Sequence, residues 1–368
     1  MTMLLLYWIT LLFLVVRLLV AITNYLQQPN IEAKPPGNEA LLKEVALLIP
    51  ARNEAANLAH LLSNLRDIPF HQILILDDYS EDRTLEIVRE YQQKMPNLEL
   101  VQGAPLPDGW IGKNWACHQL GQNASESNYY LFMDADVMLT KEGLIRSVQE
   151  VKTQKLGLLS VFPAQLIKTF GERAVVPIMH YLLLSLLPLS WVYRFASPSL
   201  VGASGQFMLF DADKYREHQW HEQVKDQVVE DMAIARKLKE LGYLVEALTT
   251  QYMVQCRMYW GYPEALSGFA KNMHAMMGGS SIGMFIIVFF MILVYILLVP
   301  YIPPAFLAIN LILIAILKSI ICLHAGRNVI SGLLWQPLQM FNICRIVSLW
   351  LYFKLKSTYK WKGRKVPL

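Results

Sequence analysis

Two carboxylates directly follow an apolar run near the middle of the chain. The run, residues 129–133, is typical of a buried parallel strand, and Asp134 and Asp136 come immediately after it. In an extended segment, this spacing places both side chains on the same side. Paired oxygen donors at the carboxyl end of a strand suit Mg²⁺ or Mn²⁺ shared with a substrate's phosphates. The alternative is a strand end at which Asp134 only caps the next helix.

Polar residues also follow two earlier predicted strands, residues 45–49 and 72–76. The candidate residues at these two strand ends, the polar ones together with Pro50 and Ala51, are Pro50, Ala51, Arg52, Glu54, Asp78 and Ser80. Because the carboxyl ends of parallel strands share one edge of a sheet, we expect them to lie near Asp134 and Asp136. A carboxylate there can accept a hydrogen bond from a nucleobase N–H or a ribose hydroxyl. Plain helix capping by Ser80 and Asp82 is the alternative, and it leaves Asp78 unexplained.

A further acidic pair, Glu230 and Asp231, lies near the start of a predicted helix at residues 227–241. A helix N-terminus favours an ionised carboxylate, which could take a proton from a reacting hydroxyl. The alternative is an N-terminal acid without chemistry. A second Asp-Ala-Asp tripeptide, Asp211 to Asp213, also follows an apolar run. We predict that its carboxylates cap the helix that enters Lys214.

Two loops could also contact a substrate. Lys113 follows a glycine and lies between two tryptophans, where it could reach a diphosphate as a point charge. A solvated lysine beside packed tryptophans is the alternative. Gly205 and Gln206 end a glycine-rich stretch, residues 201–206, in which backbone could approach a ligand closely.

The elements that must position these residues alternate between strands and amphipathic helices. Strands are predicted at residues 45–49, 72–76, 98–101, 129–133 and 156–162, and helices at 54–65, 81–93, 114–121 and 143–152. Such alternation predicts an α/β fold with a mostly parallel sheet and right-handed crossovers.

Apolar segments flank this domain, and hydrophobic residues make up 54% of the chain. The predicted parts are an uncleaved transmembrane anchor at 1–24, a linker at 25–44, the catalytic domain at 45–280 with an in-plane interfacial helix at 174–195, a transmembrane hairpin at 281–325, an interfacial, re-entrant or third membrane segment at 326–353, and a basic tail at 354–368. The lysines and arginines of the tail favour the cytoplasm. A formal charge of +4 is too small to favour nucleic acid, and the four scattered cysteines favour free thiols.

The ordered set of residues 50–54, 77–84, 134–136 and 230–231 resembles the family 2 glycosyltransferases of the GT-A fold. The resemblance implies a Rossmann-like, mostly parallel sheet that binds a nucleotide sugar and a divalent metal. Residues 255–260 are similar to the Gln-x-x-Arg-Trp motif of the membrane branch, although Arg257 comes one place early and the tryptophan one late.

The resemblance assigns candidate roles to these residues. The candidate nucleotide-sugar contacts are Pro50, Ala51, Arg52, Glu54, Asp78, Ser80, Lys113, Asp134 and Arg257. The candidate metal ligands are Asp136 and Asp134, the catalytic candidates are Asp231 as base with Glu230 beside it, and the acceptor contacts are Gly205 and Gln206.

Residues 103–113, the anchor, the interfacial segment, the hairpin and the closing residues 361–364 resemble carotenoid (diaponeurosporenoate-type) and hopanoid-associated glycosyltransferases. We therefore expect an integral protein of the bacterial cell membrane with a cytoplasmic catalytic domain. It would be an inverting, metal-dependent enzyme that moves a hexose, from UDP-sugar or another nucleotide sugar, to a lipid hydroxyl or carboxyl. The alternatives are a processive polysaccharide synthase and a non-catalytic membrane interaction protein with the same fold.

Overall fold

A computed structural model describes residues 2–293, 303–356, 360–361 and 364–365. Its strands are β1 (Val45–Ala51), β2 (Gln72–Asp77), β3 (Leu98–Gln102), β4 (Tyr129–Met133), β5 (Val137–Leu139), β6 (Leu158–Phe162), β7 (Ala164–Gln165), β8 (Phe207–Asp211), β9 (Val245–Thr249), β10 (Val254–Cys256), β11 (Lys360–Trp361) and β12 (Arg364–Lys365).

The α-helices are α1 (Thr2–Gln27), α2 (Ala55–Leu65), α3 (Thr84–Gln92), α4 (Gly112–Asn123), α5 (Lys141–Gln154), α6 (Phe170–Val175), α7 (Ile178–Leu186), α8 (Leu189–Arg194), α9 (Ala212–His218), α10 (Trp220–Gln223), α11 (Glu230–Glu240), α12 (Tyr262–Met276), α13 (Ser281–Leu293), α14 (Pro304–His324) and α15 (Val329–Lys356). The predicted strands and helices of residues 45–162 are confirmed, with small shifts at their ends.

A seven-stranded sheet in the order β3-β2-β1-β4-β8-β6-β9 forms the centre of the domain. Strand β8 runs antiparallel to both of its neighbours, whereas the other pairs are parallel. The predicted mixed, mostly parallel sheet is therefore confirmed. Successive residues of β1 alternate between two core clusters, with Ala46 and Leu48 in one and Val45, Leu47 and Ile49 in the other. Burial on both faces explains why these strands are continuously apolar.

A small second sheet holds the turn that follows β4. Strand β10 pairs with β5, which begins directly after Asp136, and with β7. The backbone N–H of Val137 donates to the carbonyl of Asp134, which closes the turn between β4 and β5. Asp134 and Asp136 therefore lie on a short turn that is fixed at both ends.

Residues 174–195 do not form the single interfacial helix that the leucine-rich sequence suggested. The structure divides them among α6, α7 and α8, with breaks at Pro177 and Pro188. Proline has no N–H for the helical ladder, and its ring clashes with the preceding turn, so each proline begins a new helix. Whether this segment lies at a membrane surface stays a prediction.

Helices α1 and α14 contain the two described segments that are long and apolar enough to cross a membrane, Leu4–Gln27 and Pro304–His324. Helix α13 is apolar but shorter. Residues 294–302, the turn of the predicted hairpin, lie outside the described residues. So do residues 357–359, 362–363 and 366–368 of the predicted basic tail.

Helix α15 is continuous across 28 residues, although it contains Pro337. Two of its polar side chains dock on the end of α6, where Gln339 donates to the carbonyl of Arg173 and Asn342 to that of Ala174. The polar residues of this segment therefore join it to the catalytic domain. Whether the segment crosses a membrane stays a prediction.

Candidate active site

One cavity of about 610 Å³ collects nearly all the residues singled out from the sequence. The predicted site residues that line it are Pro50, Ala51, Arg52, Glu54, Asp78, Lys113, Asp134, Asp136, Gly205, Gln206, Glu230 and Asp231. They come from the carboxyl ends of β1, β2 and β4, from the start of α4, from the segment before β8 and from the start of α11. The structure thus joins the acidic clusters in a single site.

The ends of β1 and β2 are tied together by backbone contacts. The N–H of Asp78 donates to the carbonyl of Ala51, and Arg52 donates to the carbonyl of Asp78 at 2.9 Å. Ser80 does not line the cavity; its hydroxyl accepts a hydrogen bond from the N–H of Asn53. Ser80 therefore holds the two loops together, whereas Asp78 is buried at the cavity wall.

Asp134 and Asp136 have different surroundings. Lys113 pairs with Asp134, with its Nζ 2.8 Å from Oδ1. The Oδ1 atom of Asp136 is buried and makes no hydrogen bond with any described residue. Burial, together with the charges of Asp134 and Glu54, raises the pKa of Asp136 to about 7. A buried carboxylate oxygen without a partner is well suited to a cation.

Lys113 also links this turn to the start of α11. Its Nζ lies 3.0 Å from Oε1 of Glu230. Burial alone would lower the pKa of Lys113, but the carboxylates of Asp134 and Glu230 outweigh it and hold that pKa well above its ordinary value. Burial would likewise raise the pKa of Glu230, yet Lys113 keeps it below the ordinary value. Both groups are therefore charged at neutral pH.

Asp231 is held by backbone amides on both sides. The N–H groups of Gly205 and Met232 each donate to its carboxylate at 2.7 Å. Burial and the neighbouring charge of Glu230 raise the pKa of Asp231 to about 7. A carboxyl group with this pKa can take up a proton at neutral pH and release it again.

Gly205 fits its place because it has no side chain. A Cβ atom there would lie 2.9 Å from both Glu230 Oε1 and Lys113 Nζ. We expect Gly205→Ala to displace these charged groups and lower kcat/KM about 100-fold, the scale on which small misplacements at a reacting centre act. Gly261→Ala is the control, since a Cβ at Gly261 would meet no atom within 4 Å. Equal kinetics for the two variants would contradict the tight packing around Gly205.

The second Asp-Ala-Asp tripeptide lies beside the amino end of β4, at the end of the strands opposite to Asp134. Asp211 is paired in register with Tyr129, the first residue of β4, whereas Asp134 follows the last. The carboxylate of Asp211 caps α9 by accepting from the N–H of Lys214 at 3.1 Å. The prediction that this tripeptide caps a helix is confirmed for Asp211.

Arg257 and Lys271 differ from the sequence-based expectation. Arg257 does not line the cavity; it pairs with the buried carboxylate of Glu172 at 2.8 Å. Lys271, which was not among the candidates from the sequence, lines the cavity from α12. Burial lowers the pKa of Lys271. A lysine within a mostly apolar helix was the only signal for it.

The protein supplies only some of the ligands that a divalent cation would need at this site. Among the residues that the structure describes, no group of three or more His, Cys, Asp or Glu side chains could hold a metal ion. Two carboxylates are available here, that of Asp136, whose Oδ1 is buried, and that of the neighbouring Asp134. Mg²⁺ and similar ions are commonly bound by one or two carboxylates plus substrate phosphates and waters. The donor set therefore fits a metal that arrives with a diphosphate.

Comparison with a solved structure supports the class of the fold. The mannosyltransferase PcManGT of Pyrobaculum calidifontis, solved in complex with GDP-Man and Mn²⁺, superposes with a TM-score of 0.53 at 17% identity, over 95% of this chain and 99% of that one. With the sheet and its acidic edge, this similarity shows the GT-A fold.

Comparison with sequences identifies a family that part of the chain matches. Residues 46–219 match the family model described as glycosyl transferase family 2. Just under half of the chain therefore matches the family 2 glycosyltransferases.

Two curated relatives are 4,4'-diaponeurosporenoate glycosyltransferases. That of Staphylococcus haemolyticus is 28% identical over 243 residues, which are 65% of this chain and 63% of that protein. That of Staphylococcus aureus (strain bovine RF122 / ET3-1) is 34% identical over 135 residues, which are 35% of this chain and 34% of that protein. The match thus spans less than two thirds of the length of either relative.

Proposed function

We propose that the protein is a membrane-bound, inverting glycosyltransferase that moves a hexose from a nucleotide sugar to a lipid acceptor. The observation that carries this proposal is the single cavity shared by Asp78, Asp136 and Asp231. These three carboxylates come from β2, from the turn after β4 and from α11. Sugar transfer needs all three functions in one place: nucleotide binding, charge stabilisation at the diphosphate and a base at the acceptor.

The donor would lie along the edge formed by β1, β2 and β4. Asp78 and Glu54 would accept hydrogen bonds from the nucleoside, and Asp136 with Asp134 would hold Mg²⁺ or Mn²⁺ against the diphosphate. The metal, when bound, would stabilise the negative charge that develops on the leaving diphosphate. Lys113 already contacts Asp134 and Glu230, so it can shift between these carboxylates and a phosphate oxygen.

Asp231 would be the base for a hydroxyl acceptor. Two backbone N–H groups would fix the orientation of the Asp231 carboxylate. The ion pair with Lys113 would hold the Glu230 carboxylate away from the position of the base. The oxygen of the acceptor would lose its proton to Asp231 as it attacks the anomeric carbon from the side opposite the diphosphate. This geometry inverts the configuration at that carbon.

The proposed acceptor is a lipid. Both curated relatives carry a carotenoid acid in their names, and two described helices are long and apolar enough to cross a membrane. The catalytic domain would face the cytoplasm, where nucleotide sugars are made. A carotenoid, a hopanoid or another isoprenoid remains the proposed class.

The number of sugars on the product distinguishes transfer to a lipid from polymer synthesis. The purified protein would be incubated with radiolabelled UDP- or GDP-hexoses, Mn²⁺ and bacterial lipid extract, and the products separated by thin-layer chromatography. We expect one lipid product that carries a single sugar. A ladder of products, or label that stays in water-soluble polymer, would contradict transfer to a lipid acceptor.

The dependence of kcat/KM on pH should show the ionisation of the base. Asp231 acts only when ionised, and its pKa is raised to about 7 in the free protein. With saturating Mn²⁺, we expect kcat/KM to be constant above about pH 7 and to fall about tenfold per unit below it, because a proton then occupies the base. The profile would be measured with a hydroxyl acceptor at constant ionic strength. An acid limb near pH 4 would contradict a base whose pKa is raised to about 7.

A further inference from the structure

The cavity has a second, apolar half that the proposed chemistry does not use. One face of α7 lines it through Met179, Leu182, Leu183 and Leu186, and Leu187, the residue directly after α7, continues this lining. Their spacing of three and four residues is that of one helix face. Leu183, Leu186 and Leu187 are only half-buried, although they pack against the larger apolar core. The wall is therefore a continuous strip of aliphatic surface.

The opposite face of α7 is held by α1. The side-chain amide of Asn24 donates to the carbonyls of Leu184 and Leu187 at 3.0 and 2.9 Å, and its oxygen accepts from the N–H of Leu189 at 2.8 Å. Arg17 donates to the hydroxyl of Ser185 at 2.7 Å. The aliphatic strip is thus fixed between the cavity and a helix that contains a candidate membrane span.

The strip begins close to the proposed base. A Cβ atom on Gly202 would lie 2.9 Å from a methyl group of Leu187, and the N–H of Gly205 donates to Asp231. Gly202 and Gly205 are three residues apart, so their Cα atoms are at most about 11 Å apart. A molecule whose hydroxyl lies at Asp231 would reach the leucines of α7 within a short chain length.

We propose that this apolar half binds the hydrocarbon chain of the acceptor, which extends from Asp231 along α7 towards α1. The inference rests on the proposed function for the assignment of Asp231 to the acceptor. A sugar or another polar acceptor would lose hydrogen bonds to water against this aliphatic wall, whereas an alkyl or isoprenoid chain has none to lose. The wall selects the class of acceptor, and the acidic half performs the transfer.

A photoreactive long-chain alcohol, with a diazirine in its alkyl chain, tests the subsite directly. The full-length protein in detergent would be irradiated with this probe in the presence of UDP and Mn²⁺, and the labelled peptides identified by mass spectrometry. We expect label on α7 and on residues 201–206. Leu183→Trp and Gly202→Val each fill the space and should lower this labelling about tenfold or more.

Matched measurements separate the subsite from the fold and from the reaction. Leu241→Trp makes the same change at an exposed leucine outside the cavity and should label as the wild type does. Binding of UDP with Mn²⁺, measured by calorimetry, should be equal in all variants. Label confined to the outer faces of α1 and α14, or label on α7 that Leu183→Trp and Gly202→Val leave unchanged, would overturn the subsite.

Labelling does not require sugar transfer, so the two proposals can fail separately. Label on α7 that the filling variants reduce, in a protein that transfers no sugar, would support the subsite and overturn the reaction. Sugar transfer to a long-chain acceptor with the same KM in the wild type and in Leu183→Trp would support the reaction and overturn the subsite.

Discussion

Replacing Asp231 with Asn is expected to lower kcat for a hydroxyl acceptor about 100- to 10,000-fold, the usual contribution of a general base. The N–H groups of Gly205 and Met232 donate to different oxygens of Asp231, so the amide oxygen of asparagine keeps one of these two hydrogen bonds and holds the side chain near its place. The amide cannot take a proton. Binding of the nucleotide, measured by calorimetry, should therefore remain close to that of the wild type.

Asp211→Asn is the matched control for this variant. It makes the same chemical change at the end of the strands that faces away from the cavity. Asparagine caps a helix about as well as aspartate, so α9 should be unaffected. We expect wild-type kinetics from it. Wild-type turnover of the hydroxyl acceptor by Asp231→Asn would remove this residue as the base.

Replacing Asp136 with Asn should lower kcat about 1,000-fold, because it removes the charged oxygen that would hold the metal against the diphosphate. Its buried Oδ1 has no hydrogen-bond partner among the described residues, so an amide loses no contact there. Binding of Mn²⁺ in the presence of UDP, followed by electron paramagnetic resonance, should weaken in parallel. Wild-type Mn²⁺ affinity in this variant would contradict the assignment of Asp136.

The same substitution should stabilise the fold at neutral and higher pH. The folded pKa of Asp136 is raised to about 7, so ionisation disfavours the folded state. The contribution of Asp136 to the stability of the wild type should therefore fall as pH rises from about 4 to about 7, and then level off. Asp136→Asn lacks this loss, so its Tm without metal should exceed that of the wild type more at pH 8 than at pH 4. A loss of activity with a gain of stability separates a functional carboxylate from a structural one.

Local sequence patterns predicted the strands that position the candidate site and most of the residues that line its cavity. Strands β1, β2 and β4 are continuous apolar runs because both of their faces are buried, and polar residues follow each of them at the binding edge. Because these strands are parallel neighbours, their carboxyl ends lie side by side, and no other contact has to be known to place them together. Asp78, Asp134 and Asp136 could be placed in one site for this reason.

Contacts between distant segments explain what the sequence could not predict. Ser80 and Arg257 have the residue types of binding groups, but partners far away in the sequence, Asn53 and Glu172, bind them instead. Lys271 lines the cavity only because α12 packs beside it. Residues 174–195 have the composition of one amphipathic segment, yet their prolines divide them and α1 fixes the pieces.

A structure of the protein with UDP and Mn²⁺ would test the account most directly. The account predicts one anomalous manganese peak about 2.1 Å from a carboxylate oxygen of Asp136, the diphosphate against it, the nucleoside beside Asp78 and Asp231 facing the open side. Manganese and nucleotide bound elsewhere, with Asp78, Asp136 and Asp231 untouched, would contradict the proposal of a sugar-transfer site.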